Sequence, residues 1–407
     1  MAFARGDAPL AMLSLTNMRA RLLLVLSLPL YACGGKGSPV ASEAGAAPAA
    51  DAAPSSTAVW PMYRHDLAHT GRSPHLGPSA PRVRWQWNPG SATGSGLSSG
   101  CPPVIAADGT LYVPVSMGGN NSLYALSNEG AERWHTAVSH RCAGSAAIAN
   151  DGTVYLASGN LVAIGPDGAL RWTFIAPDAG QLSGSPAVGP DGTIYVATEG
   201  SGLYALTPDG TAKWHFPTGE GNKSSPALAS DGTVYLGGDE KLYAVSPAGA
   251  KKWEAPLEAS EHLSPMIDDQ NRVAAIRHDL LLFSPEGSLV ATIATDAIWS
   301  QYPAALAPDG SWVIGSQSGL KSFGNDGQAA WKIDPQVLSG PSVPVIDAEG
   351  TIYLVDHLGV VQAYDEQGQL RWSFDSKLGA GGGSPVLGAD RTLYLVNESF
   401  GIAAIGD

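Results

Sequence analysis

The sequence predicts an all-β protein, an eight-bladed β-propeller of four-stranded antiparallel blades closed by pairing its N- and C-terminal segments. Three observations lead there. Tight-turn triplets of the Asp-Gly type recur at a short, nearly constant period, each period holds four short runs rich in β-branched and aromatic residues, and the last period lacks its fourth run, which stands ahead of the first instead.

The register is read from the turns. The triplets begin at Asp108, Asp151, Asp191, Asp231, Asp269, Asp309, Glu349 and Asp390, and their even spacing fixes the unit. The fourth unit shows the pattern most clearly: SSPALAS, TVYLGG, KLYAVS and AKKWEA, separated by Asp231-Gly232, Asp239-Glu240 and Pro247-Ala248-Gly249. Short runs that alternate apolar with small or polar residues, joined by turns needing positive φ, are antiparallel strands in hairpins. Four strands in a unit of about 40 residues make a propeller blade, and eight blades close around a channel. A solenoid of the same period would carry polar capping units, and neither end has one. After Asp390 the chain supplies only TLYLV at 392–396 and GIAAI at 401–405, whereas the missing type of run, RVRWQW, occupies 82–87. Pairing the two ends leaves no long open edge.

The fourth run carries Trp85, Trp134, Trp172, Trp214, Trp253, Trp331 and Trp372, with Ala291 in the remaining place. One indole per blade at one position predicts packing between neighbouring blades. Each ring would bury about 150–250 Å² and contribute up to about 4–6 kcal/mol, so Trp214→Ala is expected to cost about 3–5 kcal/mol. A matching tyrosine stands in the second run at Tyr112, Tyr155, Tyr195, Tyr235, Tyr353 and Tyr394, with Val273 and Val313 as exceptions. Units five and six are therefore the degenerate ones.

Composition narrows the partners. The 407 residues hold 23 Lys and Arg against 37 Asp and Glu, a formal charge of -14 with no basic stripe to offset it. Nucleic acid and anionic lipid surfaces are poor partners for such a chain. At the N-terminus Arg19 and Arg21 precede the apolar run 22–30, which is too short to span a bilayer. Leu30-Tyr31-Ala32-Cys33 follows it and resembles the lipobox of bacterial lipoproteins, in which the cysteine, here Cys33, is lipidated. Residues 1–33 thus read as an export signal. The alternative is cleavage after Ala32 and a soluble secreted protein. Removing 1–32 takes away three basic residues and one acid, leaving 20 against 36 and a charge of -16. Residues 34–57 contain no aromatic residue and read as a flexible tether reaching about 27 Å. That leaves 58–407 as the propeller, expected to be monomeric.

Two stretches carry a family resemblance. The run Ala205-Leu-Thr-Pro-Asp-Gly-Thr-Ala-Lys-Trp214, repeated at 163–172 and 244–253, is similar to the tryptophan-docking motif of pyrroloquinoline-quinone-type (PQQ-like) propellers. Trp60-Pro-Met-Tyr-Arg-His-Asp-Leu-Ala-His-Thr-Gly71 resembles the lead-in of the same superfamily. The resemblance covers 60–407. It implies either a quinone-dependent dehydrogenase or a non-enzymatic lipoprotein like the propeller subunit of the outer-membrane β-barrel assembly machinery (BamB-like). The dehydrogenases of the family carry a vicinal cysteine pair, a bound Ca²⁺ and a catalytic Asp. No two cysteines are adjacent here, and no EF-hand-like run, CxxC, HExxH, Walker loop or CxxCH occurs.

No catalytic residue, metal ligand or cofactor is therefore expected, and PQQ with Ca²⁺ belongs only to the alternative reading. Cys101 and Cys142 fall at similar depth in neighbouring blades. A bridge between them is expected in an oxidising compartment, with two free buried thiols as the alternative. The Asp-Gly turns share one face of the ring, and the longer interblade loops fall on the other. Those loops bear His140, Arg141, Lys223, Glu261, His262, Trp299, Gln301, Tyr302 and Lys377. His262, Trp299 and Tyr302 gather around the degenerate units and are the favoured binding face. The functional expectation is a lipid-anchored, non-catalytic propeller of the cell envelope, at the outer membrane, binding an envelope protein or peptide.

Overall fold

The computed structural model describes residues 58–90, 101–117, 120–142, 144–177, 180–219, 224–257, 263–276, 278–295, 304–316, 319–334, 343–356, 358–377, 384–397 and 401–407. Cys33 and the tether 34–57 lie outside them. Eight four-stranded antiparallel sheets form the ring. Blade one is β2 (Val104–Ile105), β3 (Leu111–Met117), β4 (Asn120–Leu126) and β5 (Glu132–Ala137), and six further blades follow in the same order. The eighth runs β30 (Val386–Leu387), β31 (Leu393–Asn397), β32 (Gly401–Gly406) and then β1 (Arg82–Trp87), so the ring closes with Arg82 opposite Gly406 and Trp87 opposite Ile402. No helix among the described residues is long and apolar enough to cross a membrane.

Burial follows position in the blade. The first three strands are almost wholly buried, whereas the fourth strands are mostly exposed or half-buried, with Phe216, Ala255 and Ile293 buried. The docking tryptophans are therefore half-buried and not enclosed. The Nε1–H of each donates to a backbone carbonyl in the next blade's last turn at 2.7–3.2 Å, as Trp172 does to Pro208 and Trp214 to Pro247. The ring face lies over that turn's glycine. A Cβ on Gly249, whose φ is +80°, would come within 2.7 Å of the Trp214 indole. Inside its own blade each of these indoles except Trp331, whose blade has Val313 there, leans on the second-strand tyrosine, Tyr155 and Trp172 standing 5.6 Å apart. With one edge in water, the loss on truncating Trp214 falls below the enclosed-ring value, to about 1–3 kcal/mol.

At the seam the last turn of blade eight is split between the two chain termini. Trp372 donates to Pro78 O at 3.2 Å in its place. Asp407 Oδ1 accepts the backbone N–H groups of Ser79 and Ala80 at 2.7 Å each and so rebuilds the turn.

A polar latch accompanies the indoles. The residue before the tryptophan is basic in most blades and reaches back to the first turn's aspartate: Arg84 to Asp390, Arg133 to Asp108, Arg171 to Asp151, Lys213 to Asp191 and Lys252 to Asp231. Burial alone would raise the Asp151 pKa. Hydrogen bonds from Thr153 and Arg171 outweigh it and hold the carboxyl below its ordinary value.

Blade five, β18 (Met266–Ile267), β19 (Val273–Ile276), β20 (Asp279–Phe283) and β21 (Leu289–Ala294), has no docking indole. Its joint to blade six is nevertheless filled. Trp312 is fully buried in one cluster with Met266, Leu282, Ile293 and Phe323, and Ile293 meets the turn glycine Gly327. The packing signature has moved inward at this joint. Cys101 and Cys142 are joined in a disulfide with Cα atoms 6.4 Å apart, strapping the entry of blade one's inner strand to that of blade two.

Candidate functional site

The most unusual chemistry lies on the axis. Residues 60–75 form a loop that follows the inner strands round the ring from blade one to blade seven. Trp60 makes an antiparallel bridge to Ile105, and Arg72 a parallel one to Ile346. Between them the loop's carbonyls accept from the inner strands in turn: Pro61 from Ile148, Leu67 from Leu228, Ala68 from Ile267, Thr70 from Leu306 and Gly71 from Ile346, at 2.8–3.0 Å. Leu67 also packs in the two clusters flanking blade three. Backbone groups that would otherwise face an empty bore are thus satisfied by the chain itself.

One level deeper, serine hydroxyls link the blades. The N–H of Ser145 donates to Ser185 Oγ, that of Ser185 to Ser225 Oγ, and that of Ser225 to Ser264 Oγ, at 2.9–3.0 Å. The ladder stops at blades six and seven, and there Arg64 takes over. Its guanidinium donates to Pro344 O at 2.9 Å and to Ala304 O. Arg64 is 4% exposed, and burial lowers its pKa only to about 10, so it stays cationic at neutral pH. Arg64, His65 and His69 hold left-handed φ of 58°, 81° and 60°, a strain kept in place by this network. Asp66 accepts the backbone N–H of Thr70 at 3.0 Å and its hydroxyl.

His69 is buried, and its Nδ1–H donates to Pro265 O at 2.9 Å. Burial is the main cause that lowers its pKa from 6.5 to about 4. A histidine kept neutral in the fold stabilises it above the unfolded pKa and loses that contribution as pH falls from 6.5 toward 4. The swing is about 3 kcal/mol at about 1.4 kcal/mol per pH unit. We expect the urea midpoint to fall across that window in the wild type and to stay nearly flat for His69→Asn, which keeps a neutral donor. A parallel slope in both chains would assign the acid sensitivity elsewhere.

Of the loop residues singled out from sequence, Glu261, His262, Trp299, Gln301 and Tyr302 lie outside the described residues, as does Lys223. His140 and Arg141 are described. The His140 backbone is tied to Ser158, its N–H donating to Ser158 Oγ at 3.2 Å. Its ring lies over Gly159, where a Cβ would come within 2.6 Å. That makes His140 a clip between blades one and two, while Arg141 is exposed. Lys377 pairs with Asp375. The axial residues Arg64 and His69 were not singled out, although the Trp60–Gly71 motif that holds them was visible.

A closed ring, an indole docked on the next blade's turn and a lead-in bonded to the inner strands together define an eight-bladed propeller, with repeats similar to those of PQQ-like propellers. Residues 119–318 match the family described as outer membrane protein assembly factor BamB. Among solved structures the chain is similar to a europium-containing methanol dehydrogenase, with TM-score 0.66 and 15% identity over 83% of this chain and 89% of that one. It is also similar to BamB from Moraxella catarrhalis, with TM-score 0.58 and 21% identity over 78% and 97%. A third is the quinohemoprotein alcohol dehydrogenase from Comamonas testosteroni, with TM-score 0.63 and 14% identity over 86% and 81%. At these identities the likeness is one of fold. No curated protein matches the chain significantly in sequence.

The dehydrogenase branch of the resemblance implies PQQ with a metal ion. Among the described residues no three His, Cys, Asp or Glu side chains stand together to share a cation. The one cysteine pair bridges two blades and is not vicinal. On the turn side the axis is filled by Trp60, Met62, Arg64 and His69, all buried. The described residues do not fit that cofactor, and no step is derived through it.

Proposed function

We propose that this chain is an exported, lipid-anchored propeller of the cell envelope that binds a protein or peptide partner in outer-membrane protein assembly and performs no chemistry itself. The match of residues 119–318 to the BamB description carries the reading. The self-filled axis fits it, because a ring plugged by its own lead-in is a rigid scaffold whose outer rim and loop face remain for recognition. The favoured loops, with Glu261, His262, Trp299, Gln301 and Tyr302, belong to that working surface.

The test is affinity capture of the tagged full-length chain from detergent-solubilised membranes. We expect a component of the outer-membrane assembly machinery to be recovered reproducibly. We also expect Cys33→Ala to move the chain from the membrane to the soluble fraction. Recovery of no partner would overturn the reading. So would stoichiometric uptake of PQQ with Ca²⁺ accompanied by dye-linked oxidation of an alcohol, the outcome that favours a quinone-dependent enzyme.

A further inference from the structure

Outer strands are the exposed edges of a propeller, and natural sheets protect such edges with charge, Lys above all. Each of the other seven outer strands follows this rule with at least one Lys or Arg. β21, Leu289-Val-Ala-Thr-Ile-Ala294, has no charged residue. Leu289 and Val290 are 55% and 52% exposed, so they face water and do not serve the core. The joint to blade six is sealed from inside by Trp312 and Ile293, which relieves the outward positions of β21 of any packing duty. One side of β21 pairs with β20, Leu280 opposite Ile293. The other side is the sheet edge, a row of backbone N–H and C=O groups with no strand beside it among the described residues.

Along the hairpin itself charge returns only at its two ends, and there with one sign; the neighbouring cation, Lys321, is buried and its Nζ donates to Thr295 O at 3.2 Å. Asp279 stands opposite Ala294 at one end, and Glu286 sits in the turn before Leu289 at the other. No Lys or Arg occurs between 278 and 295. We infer that β21 is a docking edge, to which an extended, uncharged, β-branched segment of a partner protein, bracketed by Lys or Arg, adds as a fifth strand of blade five. The main chain supplies the affinity in such strand addition and alternate side chains supply the selectivity. The inference rests on the proposed partner-binding role and names the chemistry of the partner's contact segment.

The probe is a labelled peptide, Lys-Val-Thr-Val-Thr-Val-Lys, titrated with the mature chain and read by fluorescence anisotropy. The wild type should bind it. Val290→Lys, which restores the charge that the sister strands carry, should weaken binding at least tenfold while the melting temperature stays unchanged. Methylating alternate backbone nitrogens along the peptide's pairing edge should abolish binding, which separates strand pairing from apolar adhesion. Three results would overturn the inference: no binding by the wild type, equal binding by Val290→Lys or by the methylated peptide, or a concentration-dependent dimer in sedimentation that Val290→Lys dissolves, since the occupant would then be a second copy. The membrane capture experiment repeated with Val290→Lys separates this idea from the broader one. Undiminished recovery of the same partner sinks the docking edge and leaves the partner reading standing, whereas empty capture by the wild type removes both.

Discussion

A chain lacking residues 58–77 but retaining β1 is expected to give no cooperatively folded, soluble propeller. The deletion keeps the strand that completes blade eight, so strand closure alone cannot rescue it. It strips acceptors from the inner-strand N–H groups of Ile105, Ile148, Leu228, Ile267, Leu306 and Ile346. Each costs about 1–3 kcal/mol where water does not replace the carbonyl. Trp60 and Met62 leave a hole in two clusters, and the seam loses Gly77, whose N–H donates to Asp347 Oδ2 at 3.1 Å beside the Pro78 carbonyl that receives Trp372. Against a net stability on the order of 5–15 kcal/mol, that sum is decisive. Deleting 34–57 is the control and should leave the melting temperature unchanged. Near-ultraviolet circular dichroism and soluble yield read the outcome. A stable monomer lacking 58–77 would show that blade-on-blade packing holds the ring without its axis.

The second large effect is expected at Trp312. Truncation to Ala removes a fully enclosed ring at a joint with no second indole and should cost about 3–5 kcal/mol, against about 1–3 for Trp214, whose edge is wet. Trp312→Phe should cost far less, because the indole Nε1–H is buried without an acceptor and phenylalanine removes that orphaned donor along with part of the volume. Denaturant midpoints of the three variants decide it. Equal losses at Trp214 and Trp312 would mean that the fifth joint is not carried from inside.

The architecture was legible because propeller blades obey a strict register. The Asp-Gly turns, the strand-four tryptophans and the displaced RVRWQW run each recur at fixed offsets, and recurrence makes local pattern reliable. The axial plug was not legible, because residues 60–75 occur once, adopt no regular structure and bond through backbone carbonyls that no side-chain pattern advertises. Trp312 shows a subtler limit. Ala291 and Val313 looked like lost packing, yet a tryptophan at a position where the other blades place Leu, Ile or Val signals that the volume was relocated. The loop face was legible only as composition, and of its candidate residues the structure describes His140, Arg141 and Lys377.

The axial loop also fixes when the molecule can finish folding. Arg64 is bonded to carbonyls 240 and 280 residues further along the chain. β1, the first strand, waits for β32, the last. Closing loops of that length is entropically costly and slow. Until the eighth unit arrives, the lead-in has nothing to thread and the first seven blades stand as an open arc with edges exposed to chance pairing. A chain built this way cannot mature piecemeal as it emerges. Its two ends must share one compartment before the ring locks, and the time between emergence and locking is the interval in which the protein itself most needs protection from other strands.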